Sequence, residues 1–263
     1  MSCSREMDAN GGAPVDEDMT TADLRIVADR HELDVAMANE IAVVLDSAAG
    51  RHGAVSIVLA GGRTPRGVYQ RLLSGHRHDL PWADMHFFWG DERHVPHDDE
   101  RSNYHMAREW LLDHVPVRRE RVHPMPTDVS PDRAAEMYEQ LLRSRFATEW
   151  PTFDLVLLGV GEDGHTASLF PGSRALHESG RWVTATTAPV EPHDRVTLTV
   201  PAIIHAGSIF VLATGSAKAE AVRRGFAGEP DPWWPVSLMS TTRGRLVWWL
   251  DDEAAEKIDT KDR

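Results

Sequence analysis

Cysteine is almost missing from this chain of 263 residues: Cys3 is the only one. No disulfide can therefore form within the chain, which fits a reducing compartment. Long apolar runs are missing too. No stretch approaches the roughly 18–20 residues of a membrane span, and residues 1–20 hold no apolar leader core. A cytoplasmic protein without membrane contact is expected. Positive charge is scarce, with 28 Lys plus Arg against 41 Asp plus Glu and a formal net charge of -13. A dedicated nucleic-acid binder is thereby disfavoured, because its phosphate contacts need clustered cations. A small anionic substrate remains compatible, since a few cations in a pocket act locally whatever the total. Two catalytic signatures are also absent. There is no G-x-S-x-G elbow, which disfavours a Ser-His-Asp hydrolase, and no lysine closes a glycine loop in the Walker A manner. His76 with His78, and His94 with His97, have spacings a metal could use, but no cysteine or third ligand accompanies them. They read as surface histidines, and no metal is expected.

What is present is ordinary for a folded protein: 41% hydrophobic and 26% charged residues. The length suits one large α/β domain or two small ones, and the chain contains no internal repeat and no linker long enough to divide it. One domain over residues 21–252 is expected, between an acidic flexible tail (1–20) and a polar tail (253–263). Helical spacing of apolar residues appears over 32–49, and helices are also expected over 64–73, 103–112, 134–146 and 217–226. Short apolar runs at 55–60, 85–89, 153–159, 182–186, 196–200, 208–213 and 246–250 read as strands. Strands alternating with helices imply a largely parallel sheet covered on both faces, a Rossmann-like architecture. The nine tryptophans, including the pairs 233–234 and 248–249, read as packing residues. An exposed pair would instead suit an interface.

Ligands of such sheets bind beyond the carboxyl ends of the strands, and three expected strand ends carry unusual residues. The first is Gly61-Gly62-Arg63-Thr64-Pro65. Glycines allow close backbone approach, Thr64 would cap the following helix, and that helix's N-terminus attracts anions. A phosphate cradle is one reading and an ordinary strand-to-helix turn the other. The second is Gly90-Asp91-Glu92-Arg93, three adjacent charges directly after an apolar strand, followed by Ser102-Asn103. A solvated loop is the alternative there. The third, 159–168, reads GVGEDGHTAS. Its three glycines satisfy G-x-G-x-x-G, but Glu162 and Asp163 would stand where a pyrophosphate needs only N–H groups. The dinucleotide reading is rejected. What remains is a turn at a helix start presenting Asp163 and His165, the equipment of general-base chemistry near neutral pH. A histidine capping its own helix is the alternative.

Taken together, GGRTP (61–65), WGDERHVP (89–96) with a following SN (102–103), and GVGEDGHTASLFPG (159–172) resemble the glucosamine-6-phosphate isomerase/6-phosphogluconolactonase family, on its lactonase branch. The resemblance spans residues 36–250. Deaminases of the same fold share the DGH core, differ after it, and lack the GDER-x-VP pattern. The resemblance implies one Rossmann-like domain and hydrolysis of a sugar-phosphate lactone, 6-phospho-D-glucono-1,5-lactone, without any cofactor. It implies His165 as general base, Asp163 and Asp91 as orienting groups, and Arg93 as a contact to the substrate anion. Gly61, Gly62 and Thr64 would line the phosphate pocket, with Arg195 and Lys218 as further cations. One position departs from the family pattern: Val190 stands about where many members carry a lysine, and His193 or Lys218 would have to supply that charge. An amino-sugar-phosphate isomerase or deaminase, and a non-catalytic sugar-phosphate sensor, are the competing readings. A monomer and a weak homodimer are both compatible with the sequence.

Overall fold

In the computed structural model, residues 22–240 and 244–259 are described. The expected acidic tail lies outside them. Four of the apolar runs become strands buried along their length: β2 (Val55–Leu59), β3 (Met85–Trp89), β5 (Leu155–Gly159) and β8 (Ser208–Ala213). Continuous apolar sequence suits strands covered on both faces. With β1 (Asp23–Val27) and β9 (Arg245–Asp251) they form a six-stranded parallel sheet, ordered β1-β9-β8-β5-β2-β3. The helices are α1 (Arg30–His52), α2 (Pro65–His76), α3 (Asn103–Trp110), α4 (Pro131–Arg145), α5 (Val200–Ile204) and α6 (Ala219–Phe226). From β2 the chain proceeds outward to β3, whereas from β5 it proceeds the other way to β8. The strand order therefore reverses between β2 and β5, and a crevice opens there at their carboxyl ends.

The largely parallel sheet is as expected, but not every strand joins it. Residues 91–93, expected as loop, form β4 (Asp91–Arg93), which pairs antiparallel with β7 (Asp194–Leu198). That strand in turn pairs antiparallel with β6 (Val183–Thr187), giving a second sheet of order β4-β7-β6. The chain passes from β3 through Gly90 straight into β4, and the Leu198 N–H donates to the Gly90 carbonyl at 2.8 Å. Val200, expected in a strand, opens α5 instead, because Pro201 suits the first helical turn and the Thr199 side chain accepts from the Ala202 N–H.

Pro65 begins α2 as expected, but Thr64 does not cap it through its side chain: the residue is itself helical and its hydroxyl makes no capping bond. Trp82, Trp89, Trp182, Trp248 and Trp249 are core residues, whereas Trp233 is 68% exposed. Within the stretch read as a polar C-terminal tail, Ala254, Ala255 and Ile258 are buried in the core. These apolar side chains were hidden among four charged neighbours between 252 and 257.

Candidate active site

The crevice between β2 and β5 holds a cleft of about 200 Å³. One wall is the turn after β2, Gly61 to Thr64. A second is Gly90, Asp91, Arg93 and Asn103, and a third runs from the end of β5 to Gly161, His165 and Ala167, with Lys218 beside it. Of the residues singled out in the sequence, Gly61, Gly62, Thr64, Asp91, Arg93, His165 and Lys218 line this one cleft. Asp163 and Arg195 are not part of its lining.

The segment carrying His165 is not a helix start. Residues 160–172 form a run of turns. The Gly161 N–H donates to the His165 carbonyl at 2.8 Å, Gly164 adopts φ 78°, and Ala167 adopts φ 48°. Left-handed backbone at two nearby positions prevents helix propagation, and at Ala167 it is a costly conformation for a residue with a Cβ. The Thr166 hydroxyl donates to the Gly159 carbonyl at 2.9 Å, tying the turn back to β5. Within this turn His165 Nδ1 lies 2.5 Å from Asp163 Oδ1, which also accepts the His165 backbone N–H at 3.2 Å. A carboxylate only accepts, so the ring proton sits on Nδ1 and Nε2 keeps its lone pair. Burial pushes the Asp163 carboxyl upward, but the hydrogen bond and charge of His165 outweigh it and hold the group below its usual range. The arrangement suits a base held by an orienting carboxylate. Gly161 is obligatory beneath it: a Cβ there would stand 2.0 Å from His165 Nδ1.

Asp91 is spent on positioning. Its Oδ2 accepts from the Ser168 hydroxyl at 2.6 Å and its Oδ1 from Asn103 Nδ2 at 3.1 Å, so it binds the second wall to the third. Arg93 donates through Nη1 to the Arg101 carbonyl at 2.7 Å, which fixes the direction of its side chain. Directly opposite it across the strand pair is Arg195, 5% exposed, whose Nε and Nη1 have no hydrogen-bond partner among the described residues. Burial and the like charge of Arg93 lower the Arg195 pKa, with Asp91 and Glu92 opposing the shift. Lys218 Nζ lies 3.9 Å from Glu162 Oε1. Lys218 and His193 were the two candidates for the missing family lysine. Lys218 lines the cleft, whereas the His193 ring is bonded to the Ala188 carbonyl at 3.0 Å and is not part of the lining. Val190 is exposed.

Sequence reasoning gave no role to Arg63, Asn103 or Glu92. Arg63 lines the cleft and is exposed. Asn103 packs so closely on the first wall that a Cβ on Gly61 would stand 1.9 Å from its Oδ1. The SN pair after GDER was the signal for it. Glu92 is 1% exposed and accepts from four donors: the backbone N–H groups of Arg93, Asn103 and Tyr104 at 2.7–2.8 Å and the Ser102 hydroxyl at 3.1 Å. It joins β4 to the N-terminus of α3. His94 and His97 are not plain surface histidines, being half-buried with their rings on the Val129 and Met125 carbonyls at 2.7 and 2.8 Å. Among the described residues, no group of three or more His, Cys, Asp or Glu is arranged to hold a metal ion.

Burial pushes the Glu92 carboxyl up to about 7, against the pull of its backbone donors. Between about pH 4.5 and 7 the folded protein therefore keeps a proton that the unfolded chain has released. Stability from this group is present at low pH, falls as pH rises through that window, and levels off above it. Glu92→Gln removes the titration. The melting temperature of the wild type relative to this variant is expected to decline from pH 5 to pH 8, and parallel curves would disprove the assignment.

A family model described as glucosamine-6-phosphate isomerases/6-phosphogluconolactonase matches residues 28–248. The chain belongs to this family. Among its relatives, the 6-phosphogluconolactonase of Synechocystis sp. is 40% identical over 218 residues, covering 81% of this chain and 89% of the relative. That of Mycobacterium leprae is 37% identical over 250 residues, 90% of this chain and 99% of the relative. The solved structure of 6-phosphogluconolactonase from Trypanosoma brucei matches with a TM-score of 0.82 at 35% identity, over 91% of this chain and 99% of that one. The family fold is thus the parallel sheet with its crevice between β2 and β5. Among the described residues no helix is long and apolar enough to cross a membrane.

Proposed function

We propose that this chain hydrolyses 6-phospho-D-glucono-1,5-lactone to 6-phosphogluconate, a step of the oxidative pentose phosphate pathway, with His165 as general base. The observation that carries this reading is the Asp163–His165 pair, presented to a cleft whose other walls are a glycine turn at a helix N-terminus and a row of cations. Relatives named for this activity support it.

A lactone carbonyl is already electrophilic, so the chemistry needs a positioned water and a base. His165 Nε2 takes a proton from water as the oxygen attacks C1, and Asp163 stabilises the imidazolium formed. Backbone N–H groups or a cation in the cleft stabilise the oxyanion, an effect typically worth about 3 kcal/mol. Collapse of the tetrahedral intermediate breaks the C1–ring oxygen bond, and the imidazolium returns its proton to that oxygen. The phosphate, remote from C1, supplies orienting energy. Its expected cradle is the Gly61-Gly62 turn, the unbonded Thr64 hydroxyl and the N-terminus of α2, with Arg93, Arg195 and Lys218 completing the positive field.

The test is lactone hydrolysis at pH about 7, corrected for the spontaneous reaction, run beside ammonia release from glucosamine 6-phosphate. Enzymatic lactone turnover without ammonia is expected. Ammonia release would favour the deaminase reading, and tight binding of 6-phosphogluconate without turnover would favour a sensor.

A further inference from the structure

Beneath the first wall of the cleft lies an ion pair that does not line it. Arg30, the first residue of α1, donates through Nε to Asp34 Oδ1 at 2.8 Å one helical turn on. Its Nη2 donates to the Thr64 carbonyl, and its Nη1 lies 3.5 Å from the Thr214 hydroxyl. Thr64 closes the turn after β2, whereas Thr214 follows β8 and opens the loop that leads to Lys218. One guanidinium therefore ties the first wall of the cleft to the loop that leads to Lys218.

Asp34 explains why a cation is needed there. It is 8% exposed and presses against the first turn of α2, where a Cβ on Gly67 would stand 1.9 Å from its Oδ2. A negative charge is thus buried beside the helix end that would receive the substrate's phosphate. Burial raises the Asp34 pKa, while Arg30 lowers it most among the neighbouring charges and Arg71 and His31 contribute less. Without Arg30, the carboxylate field would reach the cleft through little solvent and oppose an incoming dianion.

We propose that Arg30 is a positioning residue for phosphate recognition: it cancels the charge of Asp34 under the α2 N-terminus and fixes the Thr64 turn relative to the loop carrying Lys218. The inference rests on the reading of that turn as the phosphate cradle. It is tested with Arg30→Met, Arg30→Lys and the double variant Arg30→Met/Asp34→Asn, each assayed for lactone hydrolysis and for competitive inhibition by inorganic phosphate. In Arg30→Met, KM and the phosphate inhibition constant are expected to rise about tenfold, with kcat within about twofold of wild type, as for a lost or opposed charge contact. Arg30→Lys, which keeps the charge but not the fork, should rise less. The double variant should recover most of the loss, because the stranded carboxylate is gone. A fall in melting temperature with KM and phosphate inhibition unmoved would overturn the proposal, as would a loss confined to kcat. Failure of Asp34→Asn to relieve the KM defect would overturn the charge-cancelling role. If phosphate does not inhibit the wild type at all, the cradle reading falls and this inference with it.

Discussion

Replacing His165 by alanine is expected to lower kcat for the lactone by about 100-fold or more, the usual worth of a positioned general base. The protein should stay folded, since the side chain is 35% exposed and, among the described residues, its only ring neighbour is Phe170 at a centroid distance of 4.8 Å. KM should move little, because the proposed mechanism uses Nε2 on the attacking water and leaves the phosphate to other residues. Asp163→Asn provides the companion measurement. It keeps the shape but weakens the hold on the Nδ1 proton and on the imidazolium, so kcat should fall while circular dichroism stays unchanged. Because the lactone opens spontaneously, the rates must be measured over that background. Enzymatic turnover undiminished in His165→Ala would remove this residue from the mechanism.

A comparable loss is expected from one methyl group. Gly161 has no positive φ to forbid a side chain, so alanine is acceptable to the backbone. The added Cβ would nevertheless stand 2.0 Å from His165 Nδ1 and 2.4 Å from Asp163 Oδ1. Contacts so short cannot be tolerated, and the imidazole and carboxylate must swing apart. Gly161→Ala should therefore lower kcat about 100-fold through geometry alone, with a stability change of about 1 kcal/mol. Crystals of the variant should show the Asp163–His165 bond broken. An intact pair with full activity would contradict the placement of the turn.

Five strands of the large sheet (β2, β3, β5, β8 and β9) were readable because each is a largely buried apolar run closed by glycine or a polar turn, and β3 and β8 fall on the residues expected. β1 escaped notice since DLRIV is short and only half-buried along its length. β4 escaped because three consecutive charges read as solvent-exposed, whereas Glu92 is buried on backbone donors and Arg93 faces Arg195 across the pair. β6 and β7 pair with each other locally, but the sheet they form is completed by β4, a partner distant in sequence that local periodicity does not encode. His165 was legible as a cleft residue from its motif, but its non-helical setting was not, because the left-handed Ala167 carries no sequence signature. Arg30 was invisible for a similar reason: an arginine at the start of an amphipathic helix looks like ordinary surface, and its partners Thr64 and Thr214 lie 34 and 184 residues away.

That dispersion bears on how the protein acquires activity. The walls of the cleft come from residues near 61, 91, 165 and 218, each delivered by a separate crossover to the end of a strand or the turn beyond it. Parallel pairing closes long loops before contacts repay the entropy, so it belongs to the slow part of folding. The run from β5 to the turn after β8 carries His165, Arg195 and Lys218, but Arg93 and the Gly61–Thr64 turn come from the first half of the chain. Helical signal can return early in refolding, but catalysis appears only with the last strand pairings, and recovered turnover is a report on the whole topology.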